Sequence, residues 1–184
     1  MRPHAVIVVD AIRDFFDPSG ANWYPTVSEV EGPIARLLSA ARERDALVVH
    51  AVERHRPGLL DFEQPKLPQH CVDGTPASEF WPSLAPVARE REIVVPKRRY
   101  SAFFATDLAL LLREQQVETV VVAGVKTNVC IRATCQDAFA NGFRVVLAGD
   151  ATNSNRPHLE AASREDVERY LGSVQAVDEV VGWL

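Results

Sequence analysis

Cysteine is scarce in this chain, with three among 184 residues and no Cys-x-x-Cys pair. So small and odd a set argues against a disulfide framework or a zinc ribbon, and it predicts a reducing, cytoplasmic setting. Basic residues are not in excess. The formal net charge of −5 leaves no electrostatic footprint for nucleic acid. No apolar run approaches the ~20 residues that a membrane-spanning helix needs. The N-terminal apolar run is short and ends in Asp10, so no signal peptide is expected. Internal repeats and low-complexity tracts are missing as well. What is present is 47% hydrophobic content, enough at this length for one domain with a sizeable core.

Strand-like runs recur at Ala5–Val9, Ala46–His50, Glu92–Val95, Thr119–Ala123, Phe143–Leu147 and Val174–Val177. Between most of them lie helix-length segments with apolar spacing near ~3.6, at Pro33–Arg42, Asp107–Arg113 and His158–Leu171. Such alternation predicts an α/β fold: one domain over residues 1–184, with a six-stranded, mainly parallel sheet flanked by helices on both faces. The Pro-rich stretch from Pro57 to Pro86 is the one irregular region, and its length suggests a functional excursion near the site.

The most informative segment runs from Val117 to Phe139. A β-branched run ends at Gly124, five residues follow, and Cys130 opens a helix. Ligands bind at the carboxyl ends of strands in parallel sheets, and a cysteine at a helix N-terminus meets a setting that favours thiolate. A buried structural cysteine is the plainer reading of Cys130. Two other strand ends carry chemistry: the first ends in Asp10 and the third in Val95-Pro-Lys97. Asp10 read singly is a turn cap, and Lys97 the head of a solvated basic run. At equivalent ends of three strands, however, the trio fits thiol hydrolysis.

These residues resemble those of the isochorismatase-like cysteine hydrolases, a family that includes nicotinamidases, ureidoacrylate and biuret hydrolases and N-carbamoylsarcosine amidase. Val8-Val-Asp10 with Asp14-Phe-Phe16 is similar to the first family motif, and Lys97 through Leu108 to the second. Gly124-Val-Lys-Thr-Asn-Val-Cys130, followed by Asp137-Ala-Phe139, is similar to the third. The resemblance implies Asp10, Lys97 and Cys130 as the catalytic set, a cis Val125–Lys126 bond, and an oxyanion site built from the backbone N–H groups of Lys126 and Cys130. It gives the Lys126 side chain no part. Phe15 and Tyr100 would line the pocket, and a homo-oligomer, dimer or tetramer, is implied, with Trp183 a possible contact. A sedimentation run returning the monomer mass would count against that association.

The resemblance also implies a metal site. Nicotinamidases hold a zinc-like divalent ion with a carboxylate and two histidines, and Glu53, His55 and His70 fall on those positions. Glu53 replaces the usual Asp, so the metal stays open. Ile12 stands where many relatives have Gln, which implies a more apolar pocket, and Cys130 argues against isochorismatase chemistry proper. The expected function is hydrolysis of a small amide in the nicotinamidase manner, without an organic cofactor. Carbamoyl or ureido compounds are the alternative substrates. A non-catalytic small-molecule binder remains open, as does a thiol-redox protein pairing Cys130 with Cys71 or Cys135.

Overall fold

A computed structural model describes residues 4–63 and 65–184. The strands are β1 (His4–Val9), β2 (Leu47–Glu53), β3 (Glu92–Lys97), β4 (Thr119–Val125), β5 (Arg144–Asn153) and β6 (Gly172–Gln175). They form a single six-stranded sheet in the order β3-β2-β1-β4-β5-β6, with every pairing parallel. The α-helices are α1 (Arg13–Phe16), α2 (Glu31–Glu43), α3 (Leu108–Glu114), α4 (Arg132–Ala140), α5 (Pro157–Asp166) and α6 (Val177–Trp183). No helix among the described residues is long and apolar enough to cross a membrane.

Each face of the sheet has its own core, which is why the strands read as nearly unbroken apolar runs. Successive side chains alternate across a strand. Val6 and Val8 therefore join one cluster with Ile34, Leu37 and Leu38 of α2, while Ala5, Ile7 and Val9 join the other with Leu108, Leu112, Ile131 and Cys135. In α2 the buried positions Ile34, Leu37, Leu38 and Ala41 form one helical stripe. Full burial of Leu37 or Leu38 contributes about 1.5–3 kcal/mol each.

The sixth strand lies earlier than the expected Val174–Val177. It occupies Gly172–Gln175, and Val177 opens α6 instead. Gly172 makes the earlier start possible, because a Cβ there would sit 2.0 Å from the Val145 carbonyl oxygen. The helix is started by two carboxylates that accept from its first N–H groups. Glu179 Oε2 takes Ala176 N at 2.8 Å, and Asp150 Oδ1 takes Val177 N at 2.8 Å. The helix expected over His158–Leu171 ends at Asp166 and continues as a wider π-type turn, Val167–Leu171. Trp183 packs on its own domain: its ring meets His4 edge-on at 5.0 Å, and its Nε1–H donates to Gln175 Oε1 at 2.9 Å.

The chain leaves β1 toward β2 and β3 on one side, then crosses to β4 on the other. Such a reversal opens a crevice beyond the carboxyl ends of the strands that flank it.

Candidate active site

Asp10, Lys97 and Cys130 arrive at this crevice from three strand ends. Asp10 follows β1 with a left-handed φ of 57°, and its N–H donates to the Ala51 carbonyl at 2.9 Å. Lys97 closes β3. Cys130 sits in a π-type turn, Thr127–Ile131, that joins β4 to α4; such turns recur at functional sites. The Val125–Lys126 peptide is cis. Gly124, at φ 114°, lets the end of β4 lie against β1, since a Cβ there would fall 2.0 Å from the Val9 carbonyl oxygen.

The three groups meet in a buried cluster. Lys97 Nζ lies 2.9 Å from Asp10 Oδ2, donates to Cys130 Sγ at 3.6 Å, and stands 3.9 Å from Glu53 Oε2. Asp10 Oδ1 accepts the Glu53 N–H at 2.8 Å. Ligating atoms of Asp10, Glu53 and Cys130 lie within 4.8 Å of one another. An ammonium already fills the cation's place among them, so we read this group as an ion-paired cluster rather than a metal centre.

Burial decides the protonation here. It disfavours charge on Lys97, but Asp10, Cys130 and Glu53 around the ammonium outweigh it and hold the pKa above the ordinary lysine value. Burial pushes the Asp10 carboxyl up against the pull of Lys97. It also pushes the Cys130 thiol well above its usual value, with Lys97 opposing and Asp10 and Glu53 adding to the rise. The thiolate-favouring helix terminus expected from the sequence is thus overridden by desolvation. Burial thus favours the thiol form of Cys130 beside Asp10.

A second cluster adjoins the first. His55 Nε2 and His70 Nε2 both approach Glu53 Oε1, at 2.9 and 3.3 Å. Their Nδ1 atoms face other acceptors, Asp61 Oδ2 at 2.8 Å for His55 and the Pro68 carbonyl at 2.7 Å for His70. Anchoring one ring nitrogen and presenting the other is the arrangement of metal-binding imidazoles. Burial alone would lower the His70 pKa, but its bonds to Glu53 and Pro68 raise it to about 9.

Glu63 completes the group: ligating atoms of Glu53, His55, Glu63 and His70 all lie within 4.8 Å of one another. Both Glu63 oxygens are buried without a hydrogen bond among the described residues. Arg99 and His70 stand 3.6 and 4.0 Å away. A buried carboxylate left so poorly paired is costly unless a cation joins it. The donor set of two imidazoles and two carboxylates suits a zinc-like ion, so the residues fit the implied metal. When bound, it would supply a Lewis-acidic contact for a ring nitrogen or a water of the substrate. We expect purified protein to carry one divalent ion, and Glu63→Gln to weaken its retention about 10–100-fold by metal analysis after dialysis. Metal-free protein that keeps full activity after chelation would remove the ion from the reaction.

A pocket of about 140 Å³ opens on both clusters, lined by Phe15, Asn22, Glu53, Leu67, His70, Tyr100, Lys126, Val129 and Cys130. Phe15 and Tyr100, expected from the resemblance to line a substrate pocket, both lie in this lining. Leu67 and His70 come from the Pro-rich excursion. Ile12 does not line the pocket; it is fully buried in the first core and bridges to Phe80, so its apolar character serves packing there. Asp61, Glu63, Asn22 and the Lys126 side chain escaped the sequence reading. The only trace of the first two is a pair of acidic residues, two apart, in an unpatterned loop. All three cysteines are free. Cys71 donates to Asp14 Oδ2 at 3.5 Å and has no sulfur partner, which disfavours the thiol-redox alternative.

The sequence model of the Isochorismatase domain matches residues 4–179. Maleamate amidohydrolase of Pseudomonas putida is 33% identical over 94% of this chain and 83% of its own length. Among solved structures, an isochorismatase-like hydrolase from Alkaliphilus metalliredigens superposes with a TM-score of 0.90 at 34% identity, over 98% of both chains. Pyrazinamidase of Pyrococcus horikoshii, solved in complex with zinc, gives a TM-score of 0.85 at 31% identity over 94% of this chain and 98% of its own. The match across nearly the whole chain, and the agreement in both sequence and fold, place this protein in the isochorismatase family.

Proposed function

We propose that this isochorismatase-family amidohydrolase cleaves the C–N bond of a small linear amide through a thioester on Cys130. The observation that carries the reading is the meeting of Asp10, Lys97 and Cys130 at the pocket lined by Cys130. Because Cys130 rests protonated, its proton leaves as the sulfur attacks the carbonyl carbon, and Asp10 receives it. The C–S bond forms, and the carbonyl oxygen takes the negative charge. Backbone N–H groups of Lys126 and Cys130 serve that oxyanion. As the carbonyl re-forms, the C–N bond breaks and Asp10 returns the proton to the departing nitrogen, releasing ammonia or an amine. Water then attacks the thioester, giving one proton to Asp10. The C–S bond breaks, and that proton passes back to the sulfur. Lys97 keeps its charge throughout and holds the Asp10 carboxylate in place.

The nicotinamidase-like form of the reaction rests on Glu53, His55, Glu63 and His70, since an ion there would stand beside the pocket. The carbamoyl or ureido alternative is favoured by Lys126, a cation in the lining. Ammonia release from nicotinamide, maleamate and N-carbamoyl amino acids tests the reaction. At least one should be turned over, and an acid-quenched reaction should show the acyl mass on the Cys130 peptide. Turnover with no acyl adduct under any quench would sink the covalent route.

A further inference from the structure

The pocket holds a charged group that the thioester scheme does not use. Lys126 sends its side chain over two aromatic rings, with Nζ 5.3 Å from the centroid of Tyr24 and 5.8 Å from that of Phe15. Both distances fall in the range of cation–π attraction. The Tyr24 ring is fixed from beneath, because Tyr24 is buried and its hydroxyl donates to Asn153 Oδ1 at 2.7 Å. Lys126 makes no hydrogen bond or ion pair with a carboxylate among the described residues. Burial draws its pKa below the ordinary lysine value, opposed by the longer-range pull of Cys130 and Asp14.

The remaining polar groups of the lining argue for an anion at this point. Glu53 and His70 belong to the metal cluster, and Asn22 is committed through its Nδ2–H to Asp14 Oδ2 at 2.8 Å. The carboxylates Glu53 and Glu63 repel an anion from the metal side, and Phe15, Leu67 and Val129 offer it nothing. Lys126 is the lining cation that makes no salt bridge among the described residues, Asp14 acting on it only at longer range. It also lines the same pocket of about 140 Å³ as the cysteine, so a ligand of a few atoms can span Nζ and the reacting carbonyl.

We propose that the Lys126 ammonium anchors a carboxylate on the substrate, so that the preferred substrates are small amides or ureas that carry a free acid group a few bonds from the scissile carbonyl. This inference rests on the cysteine amidohydrolase reading and narrows its substrate class. Charge-assisted bonds of this kind change affinity about 10- to 100-fold.

The test uses isosteric pairs, succinamate against butanamide and N-carbamoylglycine against N-ethylurea, in which a carboxylate replaces a methyl group. Wild-type protein should show a higher kcat/KM for the acid member of a pair, with most of the difference in KM. Lys126→Met should lower the acid-to-neutral ratio about 10- to 100-fold, and Lys126→Arg, which keeps the charge, should retain most of it. Binding is measured separately on protein with Cys130→Ala, so that the anchor is tested whether or not turnover proceeds by thioester. Succinamate should bind this protein at least about 10-fold more tightly than it binds the form that also carries Lys126→Met. Equal binding of succinamate to both forms, no measurable binding of either acid at millimolar concentration, or equal loss on acid and neutral amides would overturn the proposal. If succinamate binds through Lys126 while none of the four compounds is hydrolysed, the anchor stands and the amidohydrolase reading fails.

Discussion

Replacing Cys130 by alanine should reduce amide turnover by at least about 10⁴-fold, since loss of the proposed nucleophile would remove the covalent route and leave only the remaining contacts to substrate. The fold should persist. Cys130 is 3% exposed and sits in the second core cluster. Trimming its sulfur removes the bond from Lys97 at 3.6 Å and the one to Asp10, and leaves Asp10 and Lys97 paired. Circular dichroism and a melting curve close to those of the parent, with ammonia release at background, is the expected pair of results. Retention of even a tenth of the parental rate would mean that water or another group attacks the carbonyl directly.

Asp10→Asn should do two kinds of damage. Loss of the proposed proton acceptor should lower kcat about 10²–10⁴-fold. The same change leaves the Lys97 ammonium buried with its nearest anion, 2.9 Å away in the parent, gone. Removing one member of a buried pair costs about 3–5 kcal/mol, which lowers the melting temperature of a domain this size by roughly 6–20 °C. Glu53 Oε2 at 3.9 Å offers the ammonium a weaker substitute, which sets the loss nearer the lower bound. Adding Lys97→Met to Asp10→Asn should restore much of the stability, because no unpaired ammonium remains and Glu53 keeps its contacts with His55 and His70. Activity should not return. A double variant no more stable than Asp10→Asn alone would show that the pair holds the fold by some other means than charge compensation.

The sheet, and the three polar residues proposed as the catalytic set, were legible in the sequence for one shared reason. A parallel sheet covered on both faces writes its strands as apolar runs, and a polar residue at the end of such a run stands out. Asp10, Lys97 and Cys130 are all of that kind. The candidate metal-binding residues Glu53, His55 and His70 were visible by resemblance, as Glu53 ends β2, His55 follows it and His70 precedes Cys71. Glu63 was not, because it comes from an irregular loop and its significance lies in being buried without a hydrogen bond among the described residues, a property of space rather than of order. Neither was the protonation of Cys130: sequence places it near a helix start, whereas burial from every side determines its charge. The Lys126 side chain was set aside for a similar reason, since the rings beneath it come from residues 15 and 24, about a hundred positions away. The early start of β6 turned on Gly172 fitting against Val145, a close approach that local patterning does not record.

Gly124 carries a consequence for how this protein tolerates change. Because no side chain fits between its Cα and the Val9 carbonyl, main chain rests directly on main chain where β1 and β4 end. The offset between Asp10 and the turn bearing Cys130 is therefore set by backbone contact rather than by the size of the residues beneath. Inherited substitutions in the two cores can accumulate and alter how firmly the domain holds together without moving acid and sulfur relative to each other. A superposition at TM-score 0.90 with only 34% identity is consistent with that freedom. The excursion that supplies Leu67 and His70 to the pocket can then change without disturbing that backbone contact.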